Sequence, residues 1–154
     1  MRPPAPGLLR TRADRRIAAD PTSTALLLAG PAAIELWPGV RRVGPVADRI
    51  LVEADLTDQS APTAATVLVQ PPRRTPTAFV TRFEWVGPSL PPTTGELTLR
   101  YVVGVDDSPA TVAVLVLESE GVAGSALSAC TLQSLADRFL DNLALLAESR
   151  SRAA

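Results

Sequence analysis

The chain has 154 residues and a net charge of −1, and its 15 basic residues are all arginine, because it contains neither lysine nor histidine. This length suits one domain with a sizeable core and is too short for two. The missing His excludes Ser-His-Asp and Cys-His catalysis and the usual zinc ligands; the missing Lys excludes Schiff-base chemistry and the lysine of a phosphate-cradling P-loop.

A single cysteine, Cys130, allows no intramolecular disulfide and no paired-thiol redox or metal motif, so nothing points to an oxidising compartment. Without a His or Lys neighbour to lower its pKa, Cys130 is expected to be a small buried apolar residue rather than a nucleophile. Near-neutral charge argues against a broadly basic nucleic-acid surface. Met1 to Arg16 lacks the apolar core of a signal peptide, and no run approaches the roughly 20 apolar residues of a membrane span. A cytoplasmic chain with no nucleic-acid partner and no stable membrane insertion is expected. Gly-rich phosphate loops and metal-spaced carboxylates are absent from the sequence, so no cofactor and no metal is expected.

Taken in order, residues 1–7 carry three prolines and read as a loose arm, 8–149 as a single domain and 150–154 as a tail. Leu8 to Ile17 alternates Leu9, Thr11, Ala13 and Ile17 against Arg10, Arg12, Asp14 and Arg16, which predicts a polar edge strand. Asp20-Pro21 is a helix start that carries Leu26 to Leu28 and stops at Gly30. A second short helix spans Ala32 to Trp37 and closes at Pro38-Gly39. From Val40 to Ser119 the period is two: strands are expected at 40–46, 50–56, 64–70, 77–86, 96–105 and 110–119. The breaks between them, 57–62, 71–76, 87–94 and 106–109 among them, are short and rich in turn formers, so the sheet is an antiparallel meander. Strand 110–119 is apolar on both faces, which fits either a central strand or a dimer contact. Finally, Ser125 to Ser149 repeats apolar residues every three or four positions, at Leu132, Leu135, Ala136, Phe139, Leu143 and Leu146. Such a helix would reach roughly 37 Å, enough to cross the whole sheet.

Ile17-Ala18-Ala19 before Asp20-Pro21, then Trp37 and Pro38-Gly39-Val40 entering the next strand, resembles the opening of START-like proteins, the SRPBCC or polyketide cyclase/dehydrase-like superfamily. The order of elements over nearly the whole chain resembles it too. The resemblance implies an α+β helix-grip fold: a curved antiparallel sheet of about seven strands around the long C-terminal helix, with two short helices after the first strand. It also implies a mostly apolar cavity between sheet and helix for a lipid- or polyketide-like molecule.

Strand alternation then proposes the lining. In 77–86 the face Phe79, Thr81, Phe83 and Trp85 is the better inner one, because burying Arg82 and Glu84 unpaired would cost several kcal/mol each. In the following strand Leu97, Leu99, Tyr101 and Val103 face in by the same logic. Tyr101, the only tyrosine, and Thr81 become the expected polar handles, with Trp37, Leu135 and Phe139 completing the ligand-facing set. Trp37 can equally be a packing plug. Arg82, Glu84, Glu96 and Arg100 read as an exposed cross-strand charge ladder, and Arg73-Arg74 as a solvated hairpin tip. In the reversed register Arg82 and Glu84 would enter the cavity and, with Tyr101, form a catalytic set for moving protons. Three functions follow: binding of a hydrophobic small molecule, a cyclase, aromatase or dehydratase in the same cavity, or an interaction protein whose cavity has collapsed.

Overall fold

The computed structural model describes residues 8–55, 63–88, 90–120 and 129–153. The expected arm at 1–7, the break at 57–62 and the helix start at 125–128 lie outside them. Strand β1 (Leu8–Ile17) buries Thr11, Ala13 and Ile17 and exposes Arg10, Arg12, Asp14 and Arg16, as its alternation requires. Helix α1 (Pro21–Leu26) begins on Asp20, whose carboxylate accepts from the Ser23 N–H at 2.8 Å. Pro31–Leu36 forms a 3-10 helix rather than an α-helix and delivers Trp37. At Gly39 the chain turns with φ +72°, and a Cβ there would lie 2.5 Å from the Asp55 carbonyl oxygen, so only glycine fits this entry to the sheet.

The sheet follows in β2 (Val40–Val46), β3 (Arg49–Ala54), β4 (Thr63–Val69), β5 (Arg73–Arg74), β6 (Ala78–Gly87), β7 (Leu90–Val103) and β8 (Pro109–Glu120). Every pairing is antiparallel, in the spatial order β1-β8-β7-β6-β4-β3-β2, with β5 pairing β6 off that path. The eighth strand is therefore Arg73–Arg74, within the expected break at 71–76; it pairs with Phe79 and Val80, and both arginines are exposed. The expected break at 87–94 shortens because β7 already begins at Leu90. Strand β8 is central, between β1 and β7. On its outer face Val112 and Val116 stay half-buried, with Arg16 and Arg100 flanking the first and Arg12 and Glu96 the second. Long arginine stems can cover valine without a partner protein.

Helix α2 (Ala129–Ala153) runs to Ala153, so residues 150–153 belong to it and not to a tail. Leu132, Ala136, Phe139, Leu140, Leu143, Ala144 and Ala147 are its buried residues. Leu135 and Leu146 sit at the margin, packed against the core while partly exposed. Cys130 is exposed near the start of α2, contrary to the buried position expected of it, because that first turn precedes the core-facing stripe.

The β1 edge is protected by more than charge. Helix α2 lies along it: Thr11 donates to Gln133, Arg15 pairs with Asp141, Gln133 donates to the Arg12 carbonyl at 3.4 Å and the Ala18 N–H donates to Glu148 at 3.0 Å. Polar side chains of the helix thus occupy backbone groups that a second sheet would otherwise seek. At the opposite edge, β2 carries a bulge between Arg42 and Gly44 followed by Pro45, both of which interrupt a ladder.

The N-cap gives a testable pH dependence. The Asp20 carboxyl is held below its ordinary value, first by the Ser23 N–H and then, against the opposing effect of burial, by the Ser23 hydroxyl. A carboxylate with a lowered folded-state pKa stabilises the fold fully above its unfolded value of about 3.9, and the contribution disappears as pH falls through the folded value. Asp20→Ala should cost about 0.5–2 kcal/mol in urea unfolding at pH 7, and the gap from wild type should narrow as the pH falls from the unfolded-state value through the lower folded-state one.

Candidate functional site

Four aromatic rings meet where the sheet, the 3-10 helix and α2 converge. Trp37 lies tilted on Phe139 with centroids 4.3 Å apart, and edge-on to Phe83 at 5.6 Å and Trp85 at 5.5 Å. Phe83 and Phe139 close the group at 5.7 Å. These separations are those of favourable edge and offset aromatic pairs. Asn142 anchors the arrangement by donating from α2 to the Leu36 carbonyl at 2.7 Å, one residue before Trp37. Trp37 is only 3% exposed, and its Nε1 is buried without a hydrogen-bond partner.

A cleft of about 150 Å3 lies between the α1-to-3-10 turn and the sheet, lined by Leu28, Ala29, Gly30, Asp48, Ile50, Val67, Val69 and Pro71. Its inner wall is continuous with the aromatic group, since Val67 is the cross-strand partner of Trp85 and the two share the inner face. None of these eight residues stood out in the sequence reading. The alternation of Ala65, Val67 and Val69 against Ile50, Val52 and Ala54, opposite the Gly30-Pro31 break, was the available signal.

A larger depression, of about 430 Å3, lies on the opposite, outer face of the sheet between Leu68, Arg82, Glu84, Thr94, Glu96, Val116, Glu118 and Arg10. Its charges are already matched: Arg82 with Glu96 at 3.1 Å, Arg10 with Glu118 at 3.5 Å, and Glu84 with Arg49 at 3.0 Å. All three pairs are substantially exposed, and pairs of this kind contribute little.

The structure sorts the expected residues clearly. Trp37, Thr81, Phe83, Trp85, Leu97, Leu99 and Phe139 are buried on the inner side, and Phe79 and Leu135 lie partly buried at its margin. Thr81 is not a free handle, because its hydroxyl donates to the Gln70 carbonyl at 2.6 Å. Tyr101 and Val103 occupy the inner face only beyond the covered region, at the end of β7, where they are 57% and 53% exposed. Arg82 and Glu84 are on the outer face, so the reversed register that would have carried them inward does not occur; of the expected charge ladder Arg82 pairs with Glu96, while Glu84 pairs instead with Arg49. Among the described residues there is no cluster of His, Cys, Asp or Glu able to hold a metal ion, and no helix is long and apolar enough to cross a membrane.

Mutational cost should follow this division. Phe139→Ala, which empties the centre of the aromatic group, should destabilise by about 3–5 kcal/mol. Arg82→Ala, which removes only an exposed pair, should stay within about 1 kcal/mol of wild type in the same urea titration.

No protein-family model matches the chain, and no curated protein matches it in sequence. Solved structures match it along almost their whole length. A conserved protein from Geobacillus kaustophilus superposes with a TM-score of 0.64 at 11% identity, covering 92% of this chain and 96% of that one. A START superfamily protein from Mycobacterium smegmatis gives 0.56 at 14% identity, with coverage of 94% and 97%. The Zhui aromatase/cyclase from Streptomyces gives 0.58 at 18% identity, with coverage of 96% and 98%. With its curved sheet, short helices after β1 and long C-terminal helix laid across the inner face, the chain has the START-like, or SRPBCC, helix-grip fold.

Proposed function

We propose that the chain binds a hydrophobic small molecule between the sheet and α2, admitted through the cleft beside Gly30. The observation that carries this reading is a cleft walled by Leu28, Ile50, Val67 and Val69, with Val67 paired across the strands to Trp85 of the buried aromatic group. At about 150 Å3 it would hold something near the size of benzene, whereas ligand pockets ordinarily measure roughly 300–1,000 Å3. A lipid- or polyketide-like ligand therefore requires the α1-to-3-10 turn to swing away from β3 and β4. The likeness in fold to a START superfamily protein and to an aromatase/cyclase supports the same ligand chemistry.

Binding is favoured over turnover by the placement of polar groups. Arg82 and Glu84 face the other side of the sheet, the Thr81 hydroxyl is engaged with backbone, and Tyr101 stands at the rim. A general acid or base must come within hydrogen-bond reach of the reacting atom, and none of this set lines the cleft.

Titration with an anilinonaphthalene sulfonate dye should show saturable binding near one per chain and quench the fluorescence of Trp37 and Trp85. The variant Val69→Trp, which fills the half-buried cleft, should weaken that binding roughly tenfold or more while melting near wild type. Non-saturable uptake, or uptake indifferent to Val69→Trp, would sink the proposal.

A further inference from the structure

The interior has been supplied with polar side chains, and nearly all of them are answered within the protein. Thr11 donates to Gln133 and Thr24 to the Asp20 carbonyl. Thr81 donates to the Gln70 carbonyl, Thr111 to the Ala19 carbonyl, and Thr93 and Ser119 bond each other. Among the described residues two buried side-chain nitrogens have no partner. One is Nη1 of Arg49, but that guanidinium already pairs with Glu84 and its side chain remains 28% exposed. The other is Nε1 of Trp37, in a residue 97% removed from solvent and surrounded by Phe83, Trp85 and Phe139, none of which offers a hydrogen-bond acceptor on its side chain.

A buried indole N–H ordinarily finds a partner, and leaving it unmet is unfavourable. A chain that wanted only an aromatic plug here would be served by Phe, which has the same kind of face and no donor. We infer that Trp37 is a specificity-determining residue: its N–H is reserved for a hydrogen-bond acceptor on the ligand, so the ligand class is an apolar molecule carrying a carbonyl or ether oxygen on its inner part and not a plain hydrocarbon. This rests on the binding reading above and adds the chemistry that the ligand must present. Trp37 does not itself line the cleft; it packs edge-on against Trp85, whose cross-strand neighbour Val67 does, so the ligand reaches the indole only when the turn beside Gly30 opens. A donor without a proton to give up also fits a pocket that recognises neutral oxygen rather than a carboxylate: no cation is found in the aromatic group or in the cleft lining, and Asp48 stands at the cleft.

Two nearly isosteric probes separate the possibilities: 2-acetylnaphthalene, and 2-isopropenylnaphthalene, in which a methylene replaces the ketone oxygen. In the wild-type protein the indole proton of Trp37, assigned with the help of the Trp85→Phe variant, should move downfield on addition of the ketone and not on addition of the alkene. The ratio of ketone to alkene affinity should fall about tenfold in Trp37→Phe, which keeps an aromatic ring, though a smaller one, and removes the donor; the ratio cancels the change in volume that both probes meet alike. Should Trp37→Phe fail to fold, the indole shift in the wild-type chain decides alone. If both probes bind but the indole proton responds to neither or to both alike, the reservation of Trp37 is overturned while the binding site stands. If neither probe binds, the binding reading itself fails, and this inference with it.

Discussion

The contact between Phe139 and Trp37 is the constraint on which the rest of the molecule depends. It joins three stretches that are far apart in the chain: the 3-10 helix that ends at Leu36, the inner face of β6 through Phe83 and Trp85, and the middle of α2. Once Phe139 is docked there, Leu132, Ala136, Leu143 and Ala147 fall along the same side of the helix and meet the sheet. The flank of that stripe is then settled too, and it brings Gln133, Asp141 and Glu148 to the backbone and side chains of β1. One apolar contact therefore sets both the core and the protection of an edge strand.

That arrangement explains why this sheet can end in β1 without inviting a second sheet. An edge strand with charged residues alone leaves its N–H and C=O groups available. Here the Ala18 N–H and the Arg12 carbonyl are taken by side chains of α2, and the price is that the helix must present Gln and Glu on the flank of an otherwise apolar stripe. The β2 edge uses a different device, a bulge and Pro45, because no helix reaches it.

Much of this was legible in the sequence because alternation leaves little freedom where charges are strong. In β6 the choice between Phe79, Thr81, Phe83, Trp85 and Val80, Arg82, Glu84, Val86 is decided by the cost of desolvating Arg82 and Glu84, and the structure buries the aromatic set. Asp20-Pro21 marked the start of α1 through cap chemistry, and Pro38-Gly39 marked the entry to β2 through the left-handed turn. Tyr101 was less legible: its parity on β7 follows from alternation, but parity says nothing of how far along a strand the cover extends, and Tyr101 is exposed at the strand's end. Thr81 points inward, yet its hydroxyl proton goes to the backbone carbonyl of Gln70, a tertiary fact without a local signature. The cleft escaped for the same reason, since it is made by segments around residues 28–30, 48–50 and 67–71 that only the fold brings together.

The absence of lysine and histidine acquires a structural meaning from these placements. Every ion pair found among the described residues joins an arginine to a carboxylate, so these pairs are built from the cation that offers a carboxylate a planar fork of donors. Among the described residues, Trp37 holds a buried donor without a partner, at the same contact that holds α2, the 3-10 helix and β6 together. An acceptor arriving there would stabilise that contact directly, because a ligand that binds only the folded state adds its binding free energy to the fold. Recognition and stability would then be coupled through a single indole, without any change in protonation.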